Sequence, residues 1–234
     1  MDKEASLSFG RGPDPRHAER GWRAGVRAAW PLAVAVGGFG ISFGVLAKAT
    51  GFTPLATIVM SATTFAGSAQ FAIVSILAEG GAIASAIAAA ILLNARYLPI
   101  GVSVAPVMKG AWWRRFVEGQ FVIDESWAVG SVGPGEFDRG RLMGAGLLLY
   151  GTWVVTTTIG VLGSSILEDP EALGLDAAFP ALFLALLVSQ LKNRRAIETA
   201  LLATVIALVL VPLAPAGVPI VAASAASLLG LRSR

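Results

Sequence analysis

MSATTFAGSAQFAIVSIL, residues 60–77, is the stretch on which the fold turns. It is apolar and uncharged, yet it places Gly67, Ser68 and Gln70 where Leu would serve. Gly costs roughly 1 kcal/mol against Ala inside a helix. A helix unwound at such a point exposes backbone N–H and C=O groups, and in a bilayer only protein, cavity water or a ligand can satisfy them. That reading predicts a broken helix with a cavity at its break. The other reading is close helix packing. Gly67, Ser68 and Ala69 would let backbones approach, and Gln70 would hydrogen-bond to a neighbouring helix.

The rest of the chain sets the frame. It has 234 residues, is 55% hydrophobic and 14% charged, and its mean hydropathy is +0.72. A soluble domain carries about 25% charged residues. The charges fall in clusters, with long uncharged stretches between them. About 20 apolar residues cross a bilayer, so the class is all-α: a polytopic membrane helix bundle with broken helices. Spans are expected near Ala28–Thr50, Pro54–Ala78, Ala82–Met108, Leu142–Leu167, Ala177–Leu191, Ala196–Leu213 and Val218–Leu231. A short apolar piece, Phe121–Val132, brings the total to about seven or eight membrane segments. SVGPGEFDRGR, residues 131–141, reads as a turn-rich connector. The chain divides into a basic tail, 1–27, and a membrane domain, 28–234.

Lys and Arg near span ends set orientation. Arg16, Arg20, Arg23 and Arg27 place the tail in the cytoplasm, where it reads as an anchor and not as a signal peptide. Lys192, Arg194, Arg195, Arg232 and Arg234 put the later loop and the C-terminus there too. Glu168–Asp176, with four acidic residues and no basic one, fits the outside. The middle allows two schemes. Ala82–Met108 is one broken crossing, which leaves Lys109, Arg114 and Arg115 outside and sends Phe116–Val132 back across. Alternatively it is a hairpin of two half-helices that returns inside, and Phe121–Val132 is then an interfacial or re-entrant piece. Length favours the first, because 27 residues are short for two crossings of about 20 each. A faint internal repeat joins Gly44-Val45-Leu46 to Gly160-Val161-Leu162, and Ser68-Ala69-Gln70 to Val188-Ser189-Gln190.

Two more polar groups lie in apolar runs. NARY, residues 94–97, sets Asn94 and Arg96 at membrane depth. An arginine there costs at least about 2.5 kcal/mol unless it faces protein or water. Its roles are a structural ion pair, with Asp124 or Glu125 as partner, or a forked grip on a substrate carboxylate that Asn94 helps to orient. Pro99 lacks an N–H, so a carbonyl near Ala95 is expected to be free to accept from an ammonium group. VIDESWAV, residues 122–129, holds Asp124 and Glu125. Adjacent carboxylates in an apolar stretch pair with Arg96, meet a substrate ammonium, carry protons, or sit at the water boundary. Gly40-Ile-Ser-Phe-Gly44 is a helix-packing spacing.

Some chemistry is excluded. With no cysteine there is no thiolate chemistry, and His17, the sole histidine, lies in the tail. No P-loop and no H-E-x-x-H is present. No metal, cofactor, enzyme activity or nucleic-acid partner is expected. Transport, an uncoupled channel, or a scaffold subunit remain.

The runs GISFGVLAKATGF, MSATTFAGSAQF, ILLNARYLPIG and FVIDESWAVG, and later FPALFLALLVSQLKNRR, resemble the AzlC-type branched-chain amino acid permeases. The resemblance extends from about Trp30 to the C-terminus, and the order and spacing of its motifs make it specific. It implies the large subunit of a two-component exporter of branched-chain amino acids in the bacterial inner membrane. The partner it implies is a small AzlD-type membrane subunit. The site residues expected for such a substrate are Gly67, Ser68 and Gln70 at a cavity edge, Asn94 and Arg96 at the carboxylate, and Asp124 or Glu125 at the ammonium or a proton.

Overall fold

The computed structural model describes residues 19–164, 184, 187, 188, 191, 194–215 and 217–226. The expectations for His17, for the acidic segment Glu168–Asp176, for most of the span Ala177–Leu191, for the echo at Ser189-Gln190 and for Arg232 and Arg234 lie outside them.

Helix α1, Trp22–Ala49, begins before the expected span and takes in Arg23 and Arg27. Next come α2, Pro54–Thr64, with Thr53 as N-cap, and α3, Gly67–Ala78. They are followed by α4, Ile83–Asn94, and α5, Tyr97–Val104. Two short helices follow, α6, Trp112–Gly119, and α7, Asp124–Gly130. The connector forms a two-stranded antiparallel hairpin, β1, Ser131–Gly133, and β2, Glu136–Phe137. It leads into α8, Arg139–Gly163. Helices α9, Arg194–Leu210, and α10, Val218–Ser224, complete the described part, and α10 packs on α4 and α9. Among the described residues, three stretches are long and apolar enough to cross a membrane: Trp22–Ala49, Ile83–Val104 and Arg139–Gly163.

The contacts give each segment its direction. Gly25 meets Arg141, Gly40 meets Thr156, and Gly44 meets Thr157 and Val161, so α1 and α8 run parallel. The seam is made of glycines because it brings backbone against backbone. A Cβ on Gly44 would strike the Thr157 carbonyl, and one on Gly160 would strike that of Ile41. The Gly-Val-Leu tripeptides noted in the sequence therefore pack against each other.

The shared start of α1 and α8 is a basic end, with Arg23, Arg27, Arg139 and Arg141. Asp138 caps α8 through Arg141 N, and its Oδ1 also accepts from Gly21 N at 3.0 Å. Val104 and Met108 pack with Leu142, so the crossing Ile83–Val104 finishes at this basic end. Helix α3 runs antiparallel to α4, with Ser68 beside Arg96 and Ile76 clustered with Ala86. It therefore rises from mid-bundle to the far end, from which α2 also starts.

Helices α2 and α3 thus form a re-entrant hairpin that enters and leaves by the far end. Gln70 Nε2 reaches Ser61 Oγ at 3.4 Å across the break, whereas nine residues of continuous helix span about 13.5 Å. Helices α6 and α7 make the opposite hairpin. It starts beyond Met108 and ends with Gly130 on Leu142, both at the basic end, while its tip at Phe121 touches Gly146, two turns into α8.

Two expectations are corrected by this arrangement. Pro54–Ala78 is not a crossing but a hairpin, which changes the parity of everything after it. Lys109, Arg114 and Arg115 consequently gather at the basic end with the N-terminal arginines, and Phe116–Val132 re-enters instead of crossing back. The scheme of one broken crossing at Ala82–Met108 agrees with the structure, and the loop at Lys109–Arg115 now lies on the same side as the N-terminal arginines. Glu118 fastens the second hairpin to the basic end. It is buried and accepts from Arg114 at 2.9 Å and from both Nε and Nη2 of Arg139. Those hydrogen bonds, Arg139's first, hold its carboxyl below the usual range against the opposing effect of burial.

Candidate functional site

The two hairpin tips meet in the middle of the bundle. The first tip is made by Phe65, whose φ of 36° and ψ of 54° are left-handed. For a residue other than Gly this conformation costs roughly 1–2 kcal/mol, and it persists only where the surroundings enforce it. Here they do. Phe65 is buried and stands edge-on to Tyr150 at 5.3 Å. The last turn of α2 has carbonyls with no helical partner. Tyr150 OH donates to Ala62 O at 2.9 Å, and Gln120 Nε2 donates to Thr63 O at 2.9 Å. Gln120 belongs to the second tip, so each hairpin completes the other. In the second tip Ser126 Oγ accepts from Ile123 N at 2.9 Å and donates to Phe121 O at 2.8 Å. That latch fixes Asp124 and Glu125 at the first turn of α7.

Arg96 joins the tips. It stands where the crossing Ile83–Val104 breaks between α4 and α5. Its Nη2 donates to Ser68 Oγ of the first hairpin at 3.0 Å and pairs with Asp124 Oδ2 of the second at 3.0 Å. Its guanidinium also lies 5.3 Å from the centre of the Tyr97 ring. Its Nε is buried with no hydrogen-bond partner among the described residues, as is Asn94 Oδ1. A cavity of about 70 Å³ opens beside the guanidinium. Its polar lining is Ser68, Arg96, Asp124 and Glu125, and its apolar walls include Val36, Phe39, Phe65 and Trp153. A single water needs about 10–15 Å³ by such a measure, so the space has room for a few waters.

Of the seven residues singled out in the sequence, Gly67, Ser68, Arg96, Asp124 and Glu125 line this one cavity. Gln70 does not. It is fully buried behind the tip, its Oε1 accepting from Trp153 Nε1 at 3.0 Å and its Nε2 donating to Ser61, which bonds Thr157 at 3.2 Å. That is the packing role weighed for it. Asn94 lies two residues before Arg96 and outside the lining. The Ala95 carbonyl expected to be free accepts from Leu98 N at 3.1 Å, because the chain tightens into a turn there. Gly67 packs on the Trp153 ring, where a Cβ would come within 3.1 Å of it.

Sequence reasoning missed Gln120, Ser126, Tyr97, Tyr150 and Trp153. Trp153 and Tyr150 read as ordinary core aromatics. Ser126 had a signal, since it completes the DES triplet in an apolar stretch.

A family model described as AzlC protein matches residues 31–167. An uncharacterized membrane protein of Archaeoglobus fulgidus is 34% identical over 177 residues, covering 74% of this chain and 77% of that one. The branched-chain amino acid transport protein AzlC of Bacillus subtilis is 29% identical over 175 residues, covering 71% and 68%. The inner membrane protein YgaZ of Escherichia coli is 24% identical over 198 residues, 79% of each chain. No solved structure matches the chain.

Proposed function

The chain belongs to the AzlC family, and from that premise we propose that it is the large subunit of an exporter of branched-chain amino acids. It works in the bacterial inner membrane with a small AzlD-type membrane partner, its basic end and both termini in the cytoplasm, and is coupled to a proton gradient. It is not an enzyme. The name of the Bacillus subtilis relative supports the substrate class, and the asymmetry of Lys and Arg supports the orientation.

The observation that carries the reading is Arg96 at the junction of two opposed hairpin tips. It is ion-paired to Asp124, has one buried N–H to spare, and sits beside an apolar, aromatic-walled cavity. The chemistry of such a place suits a zwitterion with an apolar side chain. Its carboxylate takes Arg96, its ammonium takes Asp124 or Glu125, and its side chain lies against Val36, Phe39 and Trp153. The internal ion pair is exchanged for two intermolecular ones, so no buried charge is left unmatched. That matters because an unpaired buried charge is strongly destabilising. The carboxylate not engaged by substrate is the proton carrier.

The test is efflux of preloaded leucine from cells making this chain with and without the small partner, before and after the pH gradient is collapsed. Export that needs the partner and the gradient is the expected result. Export of no branched-chain amino acid overturns the substrate, and export indifferent to the gradient makes the protein a facilitator.

A further inference from the structure

A second cavity, of about 210 Å³, lies between α5 and α6 on the basic side of the candidate site. Met108 and Arg115 border it near the basic end, Gly101 and Gly119 flank its middle, and Tyr97 and Val122 close its top. Tyr97 also lines the central cavity, so its ring is the partition between the two spaces. The partition is half-buried and held by Arg96, whose Nη2 lies 3.5 Å from the Tyr97 hydroxyl. Gly101, Gly119 and Arg115 are exposed, so the lower cavity has an open side, whereas Val104 and Met108 behind it are buried. Helices α5 and α6 are also not closely packed here. A Cβ added at Gly101 or at Gly119 would meet nothing within 4 Å.

We propose that this lower cavity is a second binding station, the vestibule through which an apolar amino acid reaches the central site from the basic end, with Tyr97 as its gate. The chemistry of the lining selects the ligand. Arg115 offers a guanidinium to the carboxylate, and Gly101, Met108 and Val122 offer apolar surface to the side chain. Among the described residues no acidic one lines it, so the ammonium stays toward water until the molecule passes Tyr97 and meets Asp124. Loss of the Arg96–Tyr97 contact when substrate takes Arg96 links occupancy of the upper site to the state of the gate. The inference rests on the transport reading given above and adds the route.

The chain has no cysteine, so single cysteines report accessibility without a background on this subunit. Gly101→Cys and Val36→Cys, the latter in the central cavity, are made in the full chain with its partner. Each is treated in sealed membranes of either orientation with a membrane-impermeant, negatively charged methanethiosulfonate. Gly101→Cys is expected to react from the basic face only, and leucine at ten times its Kd is expected to slow that reaction about ten-fold by mass action. Val36→Cys is expected to react slowly from that face, and several-fold faster when Tyr97→Ala is added.

If Gly101→Cys reacts from neither face, the cavity is filled by acyl chains or packing and the vestibule is wrong. If it reacts but leucine does not protect it, while leucine still binds the protein, the space is a water pocket and not a substrate station. If Tyr97→Ala leaves Val36→Cys unchanged, Tyr97 is not the gate. Failure of the transport reading shows differently, as leucine binding to no form of the chain.

Discussion

Arg96→Gln is expected to lower leucine export at least about ten-fold at matched membrane abundance, since a hydrogen bond to a charged group contributes about 1.5–3 kcal/mol. The substitution keeps a polar side chain, two bonds shorter, but removes the charge and the fork. Three losses coincide. Asp124 loses its 3.0 Å partner, Ser68 loses its donor, and the cavity loses the one cation of its described lining. Both members of the ion pair are over a third exposed along their side chains, 35% and 38%. The structural penalty therefore falls below the roughly 3–5 kcal/mol of breaking a fully buried pair, and the protein is expected to fold. Asp124→Asn is the companion. If the two groups only balance each other, combining the two changes recovers export. If both groups grip substrate, the double variant is as inactive as either single one. Export assays on all three variants, each normalised to membrane abundance, decide this.

The second large effect is on folding. Gly44→Leu and Gly160→Leu are each expected to remove most folded protein from the membrane. A Cβ at either position overlaps a backbone atom of the facing helix, so no rotamer change relieves it. Overpacking by even a methylene or two typically costs about 1–3 kcal/mol, against a total stability of about 5–15 kcal/mol. Here α1 and α8 must separate along the seam that carries Trp153, and with it the partner of Gln70 and the wall of the cavity. Gly38→Ala is the control. It lies on the same helix, but a Cβ there meets nothing within 4 Å. Its abundance and melting temperature are expected to match the parent, with fluorescence-detected size exclusion as the readout.

These expectations mark how far the sequence could be read. The break at FAGSAQF was legible because Gly67, Ser68 and Gln70 are out of place in an apolar helix, and the depth of Arg96 was legible because charge there needs a partner. The choice of Asp124 as that partner was among the alternatives. What could not be read was direction. A break and a reversal look alike in composition. The reversal is decided by Phe65 in a left-handed conformation, held by Tyr150 and Gln120 from distant parts of the chain. Counting that hairpin as a crossing placed the loop at Lys109–Arg115 on the wrong side. The charge rule itself had flagged the conflict, since three basic residues there opposed every other cluster. Gln70 misled for a related reason. A buried amide can serve a cavity or a packing network, and only the position of Trp153 shows which.

The central claim is that Arg96 holds the carboxylate of an apolar amino acid between the two tips. Its most direct test is the thermal stability of the purified chain with its small partner, in leucine and in leucinol, which keeps the ammonium and side chain but lacks the carboxylate. A ligand at one hundred times its Kd stabilises by about 2.7 kcal/mol, which is readily seen as a rise in melting temperature. The account predicts that leucine raises it, that leucinol does not, and that the leucine effect disappears in Arg96→Gln. Equal stabilisation by leucinol, or an undiminished leucine effect in Arg96→Gln, would contradict it.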